Sequence, residues 1–208
     1  MVNLILTRIV VSLGASTILM FSMVTSAFST SIEQLTFKQL AVQSEMVFDG
    51  EVIAVESSWN AARTSIATVV DFRINQIVSG SYPAETLTLS FMGGVVGETT
   101  MYVEAMQYPE LGERGVYFVE STTVKMVNPL LGWSQGHFKV EKDQVKSAKG
   151  EPIESIDDSG SVASGTLSEG LAQGVKLKAK SSSHVAGLSL LEFKAQIKAA
   201  SANSPVAE

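Results

Sequence analysis

Residues 66–78 constrain the fold of this chain more than any other stretch. Ile66, Thr68, Val70, Phe72 and Ile74 recur at every second position, with Asp71, Arg73 and Asn75 between them. A period of two sends alternate side chains to opposite faces of an extended backbone, so the pattern specifies a half-buried β-strand. Residues 86–91 repeat it, with Leu87, Leu89 and Phe91 inward and Thr86, Thr88 and Ser90 outward. Gly80-Ser81-Tyr82-Pro83 is a turn signal between the two.

Other segments extend the pattern. Residues 46–56 are rich in Val, Ile and Phe, and Gly50 marks a bulge or tight bend. Residues 99–105, 115–121 and 133–140 read as further short strands, punctuated by Pro109, Gly112, Pro129 and Gly132. Gly93, Gly94 and Gly97 mark a flexible loop. Two segments switch to helical spacing. In residues 36–44, Thr36 and Gln39 have the spacing of a capping box, and Leu35 and Leu40 that of a hydrophobic staple. In residues 188–200 the matching pairs are Ser189 with Glu192 and Leu188 with Phe193, with Leu190, Phe193 and Ile197 on one face. The expected architecture is mainly β: a small OB-like antiparallel barrel with a short N-terminal helix, and a C-terminal helix after a flexible linker. Closure would remove the exposed edges of an isolated sheet.

The ends of the chain have different compositions. Residues 1–27 read as a secretory signal peptide. Arg8 precedes an uncharged, mostly apolar run over residues 9–24, and Thr25-Ser26-Ala27 offers the small residues a signal peptidase reads. The run is shorter than the roughly 20 apolar residues that span a membrane. The barrel is expected over residues 28–145. Residues 146–187, rich in Ser, Gly, Ala and Lys, read as a polar linker, within which Val175, Leu177 and Ala179 alternate as one weak strand. The helix follows over residues 188–200, and residues 201–208 form a frayed tail.

Charge narrows the function classes. The net charge of the whole chain is −6, and the leader holds Arg8 and no acid. An acidic exported protein is poorly suited to nucleic acid, whose phosphates call for Lys and Arg clusters, or to an anionic membrane surface. The compartment expected is periplasmic or extracellular. The chain has no cysteine, which removes disulfides, thiolate metal sites, cysteine nucleophiles and a lipidated cysteine anchor. Stability must then come from packing.

Several segments in order resemble a widespread set of uncharacterised exported bacterial proteins. They are Glu45-Met46-Val47-Phe48-Asp49-Gly50-Glu51-Val52, residues 66–74, Val78-Ser79-Gly80, Gly93-Gly94, Leu111-Gly112-Glu113-Arg114-Gly115-Val116-Tyr117-Phe118-Val119 and Gly132-Trp133-Ser134-Gln135-Gly136-His137-Phe138. The layout is also distantly similar to netrin-type modules and tissue inhibitors of metalloproteinases, and implies an OB-type barrel over residues 35–140. Those inhibitors chelate the protease zinc through an amino-terminal cysteine. This chain has none, so that mechanism carries over to no residue here.

Candidate chemistry is sparse. His137 shares a strand face with Trp133 and Gln135 in the expected strand over residues 133–140; a lone strand histidine is usually a packed or surface polar residue, because a general base needs a partner and an orienter. His184 sits in the linker. Neither histidine has a second ligand at helical or hairpin spacing, so no metal site is expected. Asp157-Asp158-Ser159-Gly160 matches half of a calcium loop and lacks the distal ligands. Gly93, Gly94 and Gly97 lack the Lys-Ser/Thr of a phosphate cradle, and serve backbone geometry or a partner-binding loop. Trp59, Tyr82, Tyr102, Tyr108 and Trp133 either cap the barrel ends or form an exposed patch. No nucleophile–base–orienter set is recognised, and no cofactor is expected. The function this supports is a non-enzymatic exported protein-binding module, engaging an exported protease or envelope protein through Gly93, Gly94, Gly97, Trp133 and His137. The alternatives are a structural cell-surface component and a hydrolase with an unrecognised site.

Overall fold

The computed structural model describes residues 32–157, 170–178 and 187–202. In chain order, helix α1 (Phe37–Gln43) precedes strands β1 (Met46–Trp59), β2 (Ile66–Ser79), β3 (Thr86–Met92), β4 (Gly94–Val96), β5 (Thr99–Met101) and β6 (Arg114–Val119). A 3-10 turn (Trp133–Gly136) leads to β7 (His137–Glu141), β8 (Gln144–Ser147), β9 (Ile153–Ile156), β10 (Val175–Leu177) and helix α2 (Leu190–Ala202).

Six strands form one sheet in the order β3-β2-β1-β6-β7-β8, every neighbouring pair antiparallel. β4 pairs with β5 and β9 with β10 in two small antiparallel sheets. The fold is therefore mainly β, with a helix towards each end of the described chain. The main sheet is open, with β3 and β8 as its edges, where the sequence led us to expect a closed barrel.

Alternation predicts which face each residue of β2 and β3 takes. Ile66, Val70 and Phe72, and Leu87, Leu89 and Phe91, are all buried. The start of β1 and all of β6 beyond Arg114 behave differently, because both their faces are covered. Val47, Val116 and Phe118 pack with Phe37 of α1 and Phe193 of α2, whereas Phe48, Tyr117 and Val119 pack with Phe72 and Leu89. Two hydrophobic layers thus share the same central strands, and a strand buried on both sides reads as a continuous apolar run. The pairing of β1 with β2 shifts register between Asp49 and Gly50, as a bulge requires.

Capping signals set both helices. Gln39 N–H donates to the Thr36 hydroxyl at 3.1 Å, and Thr36 N–H donates to the Gln39 side chain at 2.7 Å. Ser189 and Glu192 exchange the equivalent bonds at the start of α2, which begins and ends two residues later than its apolar pattern implies. Leu190, Phe193, Ile197 and Ala200 are buried, so α2 docks on its own chain.

Three expectations need correction. Residues 133–136 form a 3-10 turn, and the strand begins only at His137. The left-handed φ of Gly132 (64°) and of Trp133 (61°) interrupts extended backbone there. The strand expected over residues 99–105 stops at Met101. The segment read as a linker from residue 146 contributes the end of β8, all of β9 and β10, and the buried Leu171, Ala172 and Val175. The signal peptide, His184 and the Asp158-Ser159-Gly160 half of the calcium-like loop lie outside the described residues.

Candidate functional site

The outward side chains of β1, β2 and β3 build an open cleft. Ser58, Ala67, Val69, Ser90 and Met92 form its floor, because Ser58 pairs with Ala67, Ala67 with Met92 and Val69 with Ser90 in the sheet register. Trp59 and Ile66 at the β1–β2 turn make one wall, and Lys125, Met126 and Val127 the other. The volume is about 480 Å³, within the range of ligand pockets. Both walls are fixed. Asn60 ties the β1–β2 turn by accepting from Thr64 N–H at 2.8 Å and donating to the Ser65 hydroxyl at 2.8 Å. Thr122 hydrogen-bonds Glu45, the Ser121 hydroxyl accepts from Val124 N–H at 3.2 Å, and Val127 carbonyl accepts from Met92 N–H at 2.8 Å. Met92, Val127 and the adjoining Val124 stay exposed, Val124 at 61%.

A second arrangement is buried and polar. Glu113 Oε1 lies 2.5 Å from His137 Nε2 and accepts from the Tyr117 hydroxyl at 3.0 Å, while Lys139 Nζ reaches Oε2 at 3.0 Å. A carboxylate oxygen only accepts, so His137 Nε2 carries the proton that points at Oε1. Burial would raise the Glu113 carboxyl, but hydrogen bonds and charge from His137 and Lys139 outweigh it and hold the group below its ordinary value. Burial, then the Glu113 charge, push the Tyr117 phenol far above its usual value, so it stays protonated. The His137 ring lies against Tyr117, centroids 5.3 Å apart, and its Nδ1 is buried with no hydrogen-bond partner among the described residues. Glu113 and Lys139 border a shallow cleft of about 330 Å³ beside Glu110 and Arg114.

Asp49 on β1 is the third feature. It is buried, with Arg114 donating at 3.0 and 3.2 Å and Lys194 of α2 at 2.5 Å. Burial opposes its charge, yet the hydrogen bonds and charges of Arg114 and Lys194 leave its carboxyl below the ordinary value.

The residues singled out by sequence divide between two settings. Gly93 and Gly94 open the β4–β5 hairpin and Gly97 turns it; a side chain on Gly94 would meet Thr68 and Ser57, whereas Gly97 faces open space. Trp133 is half-buried against the layer of Phe72 and Leu89, and His137 is buried on Glu113. They do not assemble into one surface. Of the aromatic residues, Trp59 lines the large cleft, Tyr102 is 80% exposed, and Tyr82, Tyr108 and Trp133 pack as caps. Sequence reading missed Lys125 and the loop around it, because one short loop carries no periodicity.

It also missed a spacing. Gly132-Trp133-Ser134-Gln135-Gly136 is Gly-x-Ser-x-Gly, the pattern of a strand-to-helix nucleophile elbow. The local structure differs from an elbow. A strand follows the turn, the left-handed φ falls on Gly132 and Trp133, and the Ser134 hydroxyl makes no hydrogen bond to the His137 ring, the two residues meeting only where His137 N–H donates to the Ser134 carbonyl. Gln135 has the structural task, accepting from Leu35 N–H at 2.9 Å and donating to Glu33 carbonyl at 2.9 Å. Among the described residues no group of three or more His, Asp or Glu side chains is placed to hold a metal ion, and no helix is long and apolar enough to cross a membrane. No family model, curated protein or solved structure matches this chain.

Proposed function

We propose that the chain is a non-enzymatic exported module that binds a protein partner, an exported protease or envelope protein, through the cleft over Ser58, Ala67 and Ser90. One observation carries the reading: a pocket with rigid walls whose apolar lining of Trp59, Met92, Met126 and Val127 stays at least partly open to solvent. Apolar surface concentrated in one concave place is a mark of binding sites. The buried Glu113–His137 pair fits a structural role better than a catalytic one, since solvent does not reach the imidazole. The netrin-like succession of segments belongs to this proposal as a layout on an open sheet, without the cysteine chemistry of those inhibitors.

A photo-reactive amino acid at position 126 tests the binding reading, with position 198 on the exposed face of α2 as the control. A discrete adduct from position 126, lost on Trp59→Ala and absent at position 198, is expected. Equal labelling from both positions overturns the reading. For export, amino-terminal sequencing of the protein recovered outside the cytoplasm is expected to begin near Phe28; an intact Met1 form held in the membrane overturns cleavage.

A further inference from the structure

We propose that the partner supplies an extended segment that adds to the free edge of β3 as a seventh strand, with an apolar side chain in the cleft and an acidic one beside Lys125. The proposal rests on the protein-binding reading above.

The hydrogen-bond parity of the sheet shows which way β3 is open. Ile74 N–H donates to Glu85 carbonyl and Gly93 N–H to Ile66 carbonyl, both at 2.8 Å. The odd-numbered residues of β3 therefore turn their main chain to β2. Thr86, Thr88, Ser90 and Met92 turn theirs outward. At Met92 the outward groups are met by Val127 carbonyl and the Tyr108 hydroxyl. The outward main-chain groups of Thr86, Thr88 and Ser90 have no partner among the described residues.

The two edges of the sheet are treated differently. β8 is covered, since Val145 N–H donates to Leu188 carbonyl, Ser147 N–H to Glu151 carbonyl, and Gln144 and Lys146 bridge to Ser189 and Pro152. β3 has none of the usual protections. Its sequence, TLTLSFM, holds no charge and no proline, and its pairing with β2 has no bulge. An unprotected edge of this kind is a template for another strand.

Edge and cleft are continuous. Ser90 and Met92 line the cleft with the side chains that project from the same edge residues, and Val127 already pairs where the cleft begins. A strand laid beside β3 projects every second side chain over that floor. Lys125 is the one charged lining residue, exposed and without an ion pair among the described residues, in a chain of net charge −6. It asks for a carboxylate. A second copy paired through β3 offers Thr86, Thr88 and Ser90 on that face and no acid, so a separate acidic and apolar segment is the better occupant.

The test pans phage-displayed random linear peptides on the full chain and measures Kd for the selected sequences. Acidic residues two positions from an apolar one are expected. Methylating the peptide amides that face β3 should weaken binding about tenfold or more, while methylating the alternate amides should not. Thr88→Pro should act likewise, since the lost N–H points away from β2; if that variant fails to fold, the methylated peptides decide alone. Lys125→Glu should turn the selection towards basic sequences. Affinity indifferent to methylation and to Thr88→Pro but lost on Trp59→Ala overturns strand addition and leaves cleft binding standing. Failure to select any peptide overturns the extended occupant, and the adduct from position 126 then judges partner binding by itself. A dimer abolished by Thr88→Pro overturns the partner segment in favour of self-pairing.

Discussion

Lys194 of α2 donates to Asp49 on β1 at 2.5 Å across 145 positions of sequence. The same carboxylate holds Arg114 of β6. One buried acid therefore ties the C-terminal helix to two central strands. Asp49→Asn is expected to cost roughly 3 kcal/mol, because two cations lose their anion at a buried site. Lys194→Met should cost only about 1 kcal/mol, since Arg114 still satisfies the carboxylate. Urea titration of both variants checks the order; a larger loss for Lys194→Met would mean that Arg114 is the weaker partner.

Acid should unfold the protein through the same group and through Glu113. Both carboxyls lie below their ordinary values of 3.8 and 4.5 in the fold. As pH falls, the unfolded chain takes up these protons first. The stabilisation is complete above the ordinary values and is lost as pH falls through the lower folded ones. Tm is expected to hold down to about pH 5 and then drop, with a shallower drop in Asp49→Asn and Glu113→Gln. Thermal scans across pH in the three proteins measure this, and parallel curves would show that other groups dominate.

Phe193 touches Phe37, Phe118 and Phe138, with ring centroids 5.6, 6.3 and 4.8 Å away. Phe193→Ala should cost about 3–5 kcal/mol. Ending the chain after Gly187 should lower Tm further while the protein stays monomeric on size-exclusion chromatography. An unchanged Tm would be incompatible with α2 as part of the core.

The two hairpin glycines should part company. Gly94 has φ 130°, and an added Cβ would sit 2.2 Å from Thr68 Oγ1, so Gly94→Ala should cost about 1–3 kcal/mol or more. Gly97 has φ 60° and open space, so Gly97→Asn should stay within about 0.5 kcal/mol. Chemical denaturation distinguishes them, and equal effects would place the constraint elsewhere in the hairpin.

On β2 and β3, Phe72→Ala and Leu89→Ala should each cost about 2–5 kcal/mol. Thr88→Ala loses only an exposed bond to Asp71 and should cost below about 1 kcal/mol. Similar losses at all three would imply a one-residue slip of register.

How far the sequence can be read follows from what each signal measures. Period two in β2 and β3 reports one covered face, and there the reading matches residue by residue. Capping pairs are local, so Thr36–Gln39 and Ser189–Glu192 are visible without a fold. The turn at Trp133 depends on a left-handed φ that no periodicity encodes, and it displaced the start of β7 to His137. β9 and β10 are short and lie among Ser, Gly and Lys, so the burial of Ile153 and Val175 in the core comes from tertiary contact. Nothing local in the sequence sets Glu113 and Asp49 apart from other acids; what marks them is the set of cations brought to them from distant strands and from α2.

Phe193 is the last large ring to join the layer that Phe37, Phe118 and Phe138 begin. A chain that emerges amino end first can pair β1, β2 and β3 early, since their contacts are near neighbours in sequence. The aromatic layer on the other face stays uncovered until α2 arrives. Completion of that layer is thus timed by the arrival of α2, and a nascent chain stalled before residue 190 would present it to chaperones rather than a finished surface.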